Sequence, residues 1–317
     1  MGLDRRRSAI VLGAGDGTRL RALTTRAGVA VPKQFCMLNG GPSLLQLALR
    51  RAESVVGARR VTTVVASSHR RWWERDLRAL GDLRVVVQPH NRGTAAGVLL
   101  PLADVHGRDP DAIVFILPSD HWVADEHVLA RELDRAGDVV EAEPEAVALL
   151  GIEPDSAEPG YGWILPGRAT APGVSRVEAF VEKPALAQAL DLLSAGAVWN
   201  SFLLVARART LWALYEKRLP ELLERMQLAL ATGDPARDAR VWRMYAELPA
   251  HDFSRDVLSG AEDALRLLRV PECGWTDLGT PERVAACVER VLSHPAAGLV
   301  LPPPRARIDL AWALAGA

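Results

Sequence analysis

Short apolar runs alternate with stretches of helical spacing through the first half of the chain. The runs at 10–12, 61–66, 84–88, 113–117 and 146–151 predict strands. Between them, 43–55, 69–80, 94–106 and 126–141 have helical spacing or helix-favouring composition. Strand–helix alternation of this kind requires right-handed crossovers. It predicts an α/β fold: a Rossmann-like mixed, mainly parallel sheet with helices on both faces. Ligands in such a sheet sit beyond the carboxyl ends of the strands. The glycine-rich loop that begins at Gly13, the pair Gln88-Pro89 and the triplet Pro118-Ser119-Asp120 all fall at such ends.

The second half is more mixed. Strands are predicted at 161–165, 175–182, 199–205 and 264–270, and helices at 185–195, 207–219, 221–230, 236–248 and 281–292. Pro281 sits at the start of the last helix, where its missing N–H costs nothing. With no strong linker before Pro302-Pro303-Pro304, residues 1–295 are expected to form one domain, with parts of about 1–150 and 151–295. Residues 296–317 form a tail, and 308–314 is expected to pack on the body or on a second copy in a homodimer.

Composition narrows the class. Hydrophobic residues are 49% and charged residues 24% of the 317, enough for a sizeable core. A formal net charge of −1 gives no electrostatic case for nucleic acid. The basic triplets at 5–7 and 69–71 read as solvated ends of elements. Cys36, Cys273 and Cys287 have no metal-ligand spacing and cannot all pair, which fits a reduced, cytoplasmic protein. No run approaches the roughly 18 apolar residues of a membrane span, and the N-terminal stretch is too short and polar for a signal peptide.

The densest chemistry lies in Gly13-Ala14-Gly15-Asp16-Gly17-Thr18-Arg19, directly after the first strand. Three glycines in five positions let backbone N–H groups converge into an anion-binding nest. Arg19 adds a forked cation, and Pro32-Lys33-Gln34-Phe35 adds a second cation from a turn. A polyphosphate tail suits this set. The dinucleotide fingerprint fails at Thr18, and the P-loop fails because no Lys follows Gly17.

What the stretch does resemble is the opening of the sugar-1-phosphate nucleotidylyltransferases, Leu-Ala-Gly-Gly-x-Gly-Thr-Arg-Leu-x-Pro-Leu-Thr followed by Pro-Lys-Gln. Gly15, Gly17, Thr18, Arg19, Leu20, Leu23, Thr24 and the 32–35 segment match it. The Pro-Lys-Gln-Phe form is similar to the mannose-1-phosphate guanylyltransferase branch. Ala14, Ala22 and a longer spacer to Pro32 depart from the pattern. The resemblance continues in family order to about residue 290. Gln88-Pro89-His90-Asn91-Arg92-Gly93-Thr94-Ala95 is similar to the stretch that contacts the base, with Gly93 where Asn is usual. By itself this segment reads as a capped helix start, with Thr94 as N-cap. Asp120 by itself could cap a turn; the resemblance makes it a Mg²⁺ ligand. His121 is given no catalytic role. Tyr161-Gly162-Trp163-Ile164, Val181-Glu182-Lys183-Pro184 and Trp199-Asn200-Ser201 resemble the sugar-phosphate motifs, with Phe202 in place of a usual Gly. Trp275-Thr276-Asp277-Leu278-Gly279 resembles the segment bearing the second metal aspartate. The 252–256 segment lies where relatives carry Ser-Ile-Asp-Tyr and is assigned no chemistry. With no hexapeptide repeats, the β-helix domain of some relatives is not expected, and neither is the isomerase domain fused to some long bacterial guanylyltransferases.

The resemblance implies a nucleotide-diphospho-sugar transferase type of fold, with a nucleotide-binding part at about 1–150 and a sugar-binding part at about 151–295. It implies transfer of a nucleoside monophosphate from GTP, or another nucleoside triphosphate, to a sugar 1-phosphate, with mannose 1-phosphate favoured. Gly13, Ala14, Gly15, Gly17, Thr18, Arg19, Gln88, Gly93 and Thr94 would bind nucleotide. Gly162, Glu182, Lys183 and Asn200 would bind the sugar phosphate, and Asp120 and Asp277 would hold Mg²⁺. Arg19, Lys33, Asp120, Lys183 and Asp277 would carry the chemistry. Two alternatives stay open: the same reaction with another base or sugar, such as glucose or a heptose, and a nucleotide-sugar-binding regulator without turnover.

Overall fold

Arg7–Gly13 forms strand β1, whose side chains alternate between two cores. Ala9 and Val11 face one cluster and Ile10 the other, all fully buried. The computed structural model describes residues 6–17, 24–26, 29–38, 41–78, 80, 83–231 and 237–293. After β1 come a two-residue hairpin, β2 (Thr25–Arg26) and β3 (Val29–Ala30), and a 3-10 turn, Lys33–Phe35. Helix α1 (Leu44–Val56), capped by a reciprocal Ser43–Gln46 box, leads to β4 (Val61–Ala66). Then follow α2 (Arg70–Leu77), β5 (Arg84–Gln88), α3 (Gly93–Arg108), β6 (Ile113–Pro118), α4 (Glu126–Ala142) and β7 (Val147–Ile152).

A long hairpin, β8 (Gly162–Ala171) and β9 (Val174–Glu182), opens the second half. It is followed by α5 (Leu186–Ser194), β10 (Val198–Arg207), α6 (Ala208–Arg218), α7 (Pro220–Leu230) and α8 (Arg237–Glu247). A π-helical turn at Ser254–Leu258, β11 (Leu265–Val270) and α9 (Pro281–Ser293) complete the described chain.

The large sheet has nine strands in the order β5-β4-β1-β6-β10-β7-β11-β9-β8. β10 runs antiparallel to both β6 and β7, and β9 antiparallel to β11 and β8, while the remaining strands share one direction. This is the mixed, mainly parallel sheet expected. β4, β6 and β7 are buried along their whole length, as strands covered on both faces must be. One face is covered by a core that includes α1 and α4, the other by a core that includes α3, α6, α7 and α8.

Strand and helix positions agree with the hydrophobic pattern to within a residue or two, apart from the far end of β8, the start of β1, which begins three residues earlier, and the end of α2, which stops three residues sooner. Periodicity gave no sign of three features. The hairpin at 25–30 is too short to show a period. β8 extends past residue 165 because its outer half is an exposed ribbon paired with β9. The π turn lies in a polar stretch and is held by tertiary contacts. Among the described residues no helix is long and apolar enough to cross a membrane. The tail at 296–317, with Thr18 and Arg19, lies outside the described residues.

Candidate active site

The glycine-rich loop leaves β1 between two parallel neighbours, β4 and β6. Gly13 is enclosed: a Cβ there would lie 3.0 Å from the Val64 carbonyl and 3.3 Å from Leu45 Cδ1. Gly15 faces open space, with nothing within 4 Å of such an atom. The loop is held from beneath by Gln34, whose Nε2 donates to the carbonyls of Gly13 and Gly15, both at 2.9 Å. Both amide hydrogens are therefore engaged by the loop backbone. Gln34 is buried in the Lys33–Phe35 turn. Asp16 turns to Asn91, whose Nδ2 donates to Oδ2 at 2.6 Å.

The same turn delivers Lys33. Its Nζ lies 3.0 Å from Asp120 Oδ2 and also donates to the backbone carbonyl of Asp277. Asp120 follows β6, where Ser119 fastens the strand end by donating from Oγ to the Leu12 carbonyl at 2.7 Å. Two backbone bonds of 2.9 Å between Trp122 and Thr276 set the Asp120 and Asp277 segments side by side. Partial desolvation would raise the Asp120 carboxyl, but Lys33 and His121 outweigh it and its pKa is lowered. Burial drives His121 down to about 4 against the pull of Asp120, so the imidazole is neutral at pH 7. Asp277 Oδ1 accepts from Gly279 N at 2.8 Å, from Arg283 Nη1 at 3.4 Å and from the Tyr161 hydroxyl.

Tyr161 joins this centre to a second group. Its carbonyl accepts the Lys183 N–H at 3.1 Å, and the next residue, Gly162, pairs with Glu182 across the β8–β9 ladder. A Cβ on Gly162 would lie 2.6 Å from Glu182 Oε2 and 3.2 Å from Asn200 Cβ, so only glycine lets the three meet. Lys183 donates to Glu182 Oε1 at 2.8 Å. Burial raises the Glu182 carboxyl, and Lys183 works against that rise. Lys183, Phe202 and Leu278 have left-handed backbones, with φ of 49°, 59° and 49°. Strained non-glycine residues gather at functional sites, and all three flank this one.

Gln88 and the 93–94 pair lie at the end of β5 and the start of α3. Gln88 is buried and donates to the His90 carbonyl at 3.0 Å. Thr94 is not the N-cap: the helix starts at Gly93, and the Thr94 hydroxyl accepts the Phe253 N–H at 2.7 Å. Gly93 has φ of 80°, and a Cβ there would fall 2.1 Å from the His251 carbonyl. The close approach this glycine permits is thus filled by the protein's own backbone.

The structure therefore brings together Gly13, Gly15, Lys33, Asp120 and Asp277, and through Tyr161 it joins Gly162, Glu182, Lys183 and Asn200. Among the described residues no group of three or more His, Cys, Asp and Glu side chains could hold a metal. Asp120 and Asp277 stand on adjoining segments, but Lys33 meets the Asp120 carboxylate and only the backbone carbonyl of Asp277, whose Oδ1 is turned to Tyr161, Gly279 and Arg283. The Lys33 ammonium, lying against both segments, shows that this spot favours positive charge.

A family model described as nucleotidyl transferase matches residues 8–293. The chain belongs to the nucleotidyl transferase family. Xanthan biosynthesis protein XanB of Xanthomonas campestris pv. campestris is 32% identical over 279 residues, covering 86% of this chain and 57% of that protein. Mannose-1-phosphate guanylyltransferase of Escherichia coli is 30% identical over 285 residues, again 86% and 57%. The chain thus spans a little over half the length of these curated relatives. A crystal structure of mannose-1-phosphate geranyltransferase from Thermus thermophilus superposes with a TM-score of 0.74 at 29% identity, covering 86% of this chain and 76% of that one.

For this nucleotidyl transferase, sequence reasoning gave no role to Gln34, Tyr161 or Arg283, and to the 252–256 segment only support of the sugar-binding part. Gln34 and Tyr161 sat inside quoted motifs, which was the available signal. Arg283 carried none: it reaches Asp277 and Glu158 from the first turn of α9 and lies over the Tyr161 ring, 4.4 Å from its centroid.

Proposed function

We propose that this chain transfers a nucleoside monophosphate from a nucleoside triphosphate to a sugar 1-phosphate and releases pyrophosphate. GTP and mannose 1-phosphate are the favoured pair. The observation that carries this reading is the placement of Lys33 on both aspartate segments, with the glycine loop held by its neighbour Gln34 and the Glu182–Asn200 group joined through Tyr161. The named activity of the Escherichia coli relative supports the choice of base and sugar.

In this reading residues of about 1–150 receive the nucleotide and those of about 151–295 the sugar phosphate. Gly13, Ala14, Gly15, Gly17, Thr18 and Arg19 cradle the triphosphate, while Gln88, Gly93 and Thr94 shape the loop that receives the base. A phosphate oxygen of the sugar 1-phosphate attacks the α-phosphorus. The new P–O bond forms as the bond to the β-phosphate oxygen breaks, and pyrophosphate carries away the electron pair. The nucleophile is already anionic at neutral pH, so no general base is required. Catalysis is positioning plus neutralisation of charge. Lys33 neutralises the reacting phosphates, Lys183 orients the attacking one, and Glu182 and Asn200 hold sugar hydroxyls. Asp120 and Asp277 would hold Mg²⁺, which supplies positive charge beside the α-phosphate.

The test is a pyrophosphate-release screen of the nucleoside triphosphates against a panel of sugar 1-phosphates, with and without Mg²⁺. The expected leading pair is GTP with mannose 1-phosphate. Another leading pair would reassign the specificity, and no turnover with any pair would overturn the enzymatic reading.

A further inference from the structure

The 251–254 segment touches both halves of the site. At one end it is tied to the N-terminus of α3 by two backbone hydrogen bonds: His251 N–H donates to the Arg92 carbonyl at 3.1 Å, and Ala95 N–H donates to the His251 carbonyl at 3.0 Å. Gly93 lies between them, so tightly that a Cβ would meet the His251 carbonyl at 2.1 Å. Phe253 N–H then donates to the Thr94 hydroxyl at 2.7 Å. One residue further on, the buried Ser254 Oγ lies 3.4 Å from Asn200 Nδ2. The Phe253 ring is fully buried and lies 5.9 Å from the ring of Phe202. Phe202 in turn gives its N–H to Asn200 Oδ1 at 3.1 Å and has a left-handed backbone at a register shift of β10.

We propose that residues 251–254 are a positioning segment that couples the nucleotide loop to the sugar strand, with Thr94 at one end and Asn200 at the other. This rests on the assignment of those two halves made above. The path is continuous from the Thr94 hydroxyl through Phe253 and Ser254 to the Asn200 amide; its middle is buried, Asn200 is half-buried and Thr94 is exposed. A π-helical turn begins at Ser254, and π turns concentrate at functional sites. The two ends differ in strength. The Thr94 bond is short, whereas the Asn200–Ser254 contact is at the long limit for a hydrogen bond, so a sugar hydroxyl can replace it at little cost. Occupancy of the sugar side would then change what holds Phe253 against Thr94, and the base-receiving loop would respond.

The test uses Thr94→Val, which keeps shape and loses the acceptor, Thr94→Ser, which keeps the hydroxyl, and Ser254→Ala at the other end. With GTP and mannose 1-phosphate as probes, Thr94→Val is expected to raise KM for mannose 1-phosphate at least about fivefold, and Ser254→Ala to raise KM for GTP by a similar factor. Ser254→Ala should keep kcat within about twofold, Thr94→Ser should restore the KM for mannose 1-phosphate that Thr94→Val loses, and the double variant should be no worse than the weaker single. If Thr94→Val alters only GTP and Ser254→Ala only mannose 1-phosphate, coupling is refuted. Hydrogen exchange on the ligand-free full chain separates this from the functional reading. Thr94→Val should speed exchange at Phe253 and also across 198–204. Acceleration confined to Phe253 would overturn the proposal, whatever the protein turns over.

Discussion

Lys33 Nζ lies 3.0 Å from Asp120 Oδ2 while also donating to the carbonyl of Asp277, 244 positions away in sequence. One buried ammonium therefore holds two strand-end segments in register. Removing it should affect chemistry more than fold, because the Asp120 side chain is 39% exposed and water can solvate it. Lys33→Met is expected to lower pyrophosphate release by on the order of 10²–10³, the usual cost of losing one electrostatic donor. A near-wild-type rate in a variant with an unchanged circular dichroism spectrum would remove Lys33 from the mechanism.

Gln34 commits both amide hydrogens to the glycine loop. Gln34→Leu leaves the Gly13 and Gly15 carbonyls without that donor, which should cost about 1–3 kcal/mol. The loop would no longer be preorganised, so KM for GTP should rise about tenfold, equivalent to about 1.4 kcal/mol. Urea unfolding and steady-state kinetics check the two effects. A variant unchanged in both would show that the clamp contributes nothing.

Gly93 and Gly15 should separate fold from ligand. Gly93→Ala puts a Cβ against the His251 carbonyl at a φ of 80° and should cost about 2–5 kcal/mol from strain and overpacking together. Gly15→Ala meets nothing within 4 Å, so its stability should stay within about 0.5 kcal/mol of wild type. Its KM for GTP should nevertheless rise, because the added methyl occupies the space proposed for phosphate. Thermal melts showing the opposite order of stabilities would contradict this reading of the two glycines.

Glu182 links stability to pH. Burial raises its folded pKa above the ordinary 4.5, although Lys183 opposes the shift. Folding therefore disfavours its ionised form, and the penalty is present above the folded pKa and disappears as pH falls below about 4.5. Glu182→Gln should melt at the same temperature as wild type or higher at pH 8, with any advantage shrinking only as pH falls through the raised folded pKa towards 4.5. The same variant should use mannose 1-phosphate at least about tenfold less well, since its amide cannot accept from two hydroxyls with both oxygens. A lower melting temperature at pH 8 would show that the carboxylate stabilises the fold instead.

The order of elements was legible in the sequence because burial on both faces of a sheet leaves a direct trace. β6 and β7 are continuous apolar runs, β4 is apolar but for two buried threonines, and the intervening helices show their own spacing. The ordered motifs also pointed to the family, since each sits at a strand end or turn where local geometry restricts the residue. Pairings between distant segments left no such trace. The Trp122–Thr276 bridge that brings Asp120 beside Asp277 is made by backbone atoms, which every residue carries. The need for glycine at position 93 arises from His251, more than 150 residues later, whereas the local sequence reads only as a capped helix start. Arg283 reaches Asp277 only because α9 packs back onto the site. The chain alone thus determined which segments become strands, helices and loops, because periodicity and turn chemistry are local. Which side chains and carbonyls meet was decided by the tertiary structure, because a nine-stranded sheet converges residues far apart in sequence on one edge.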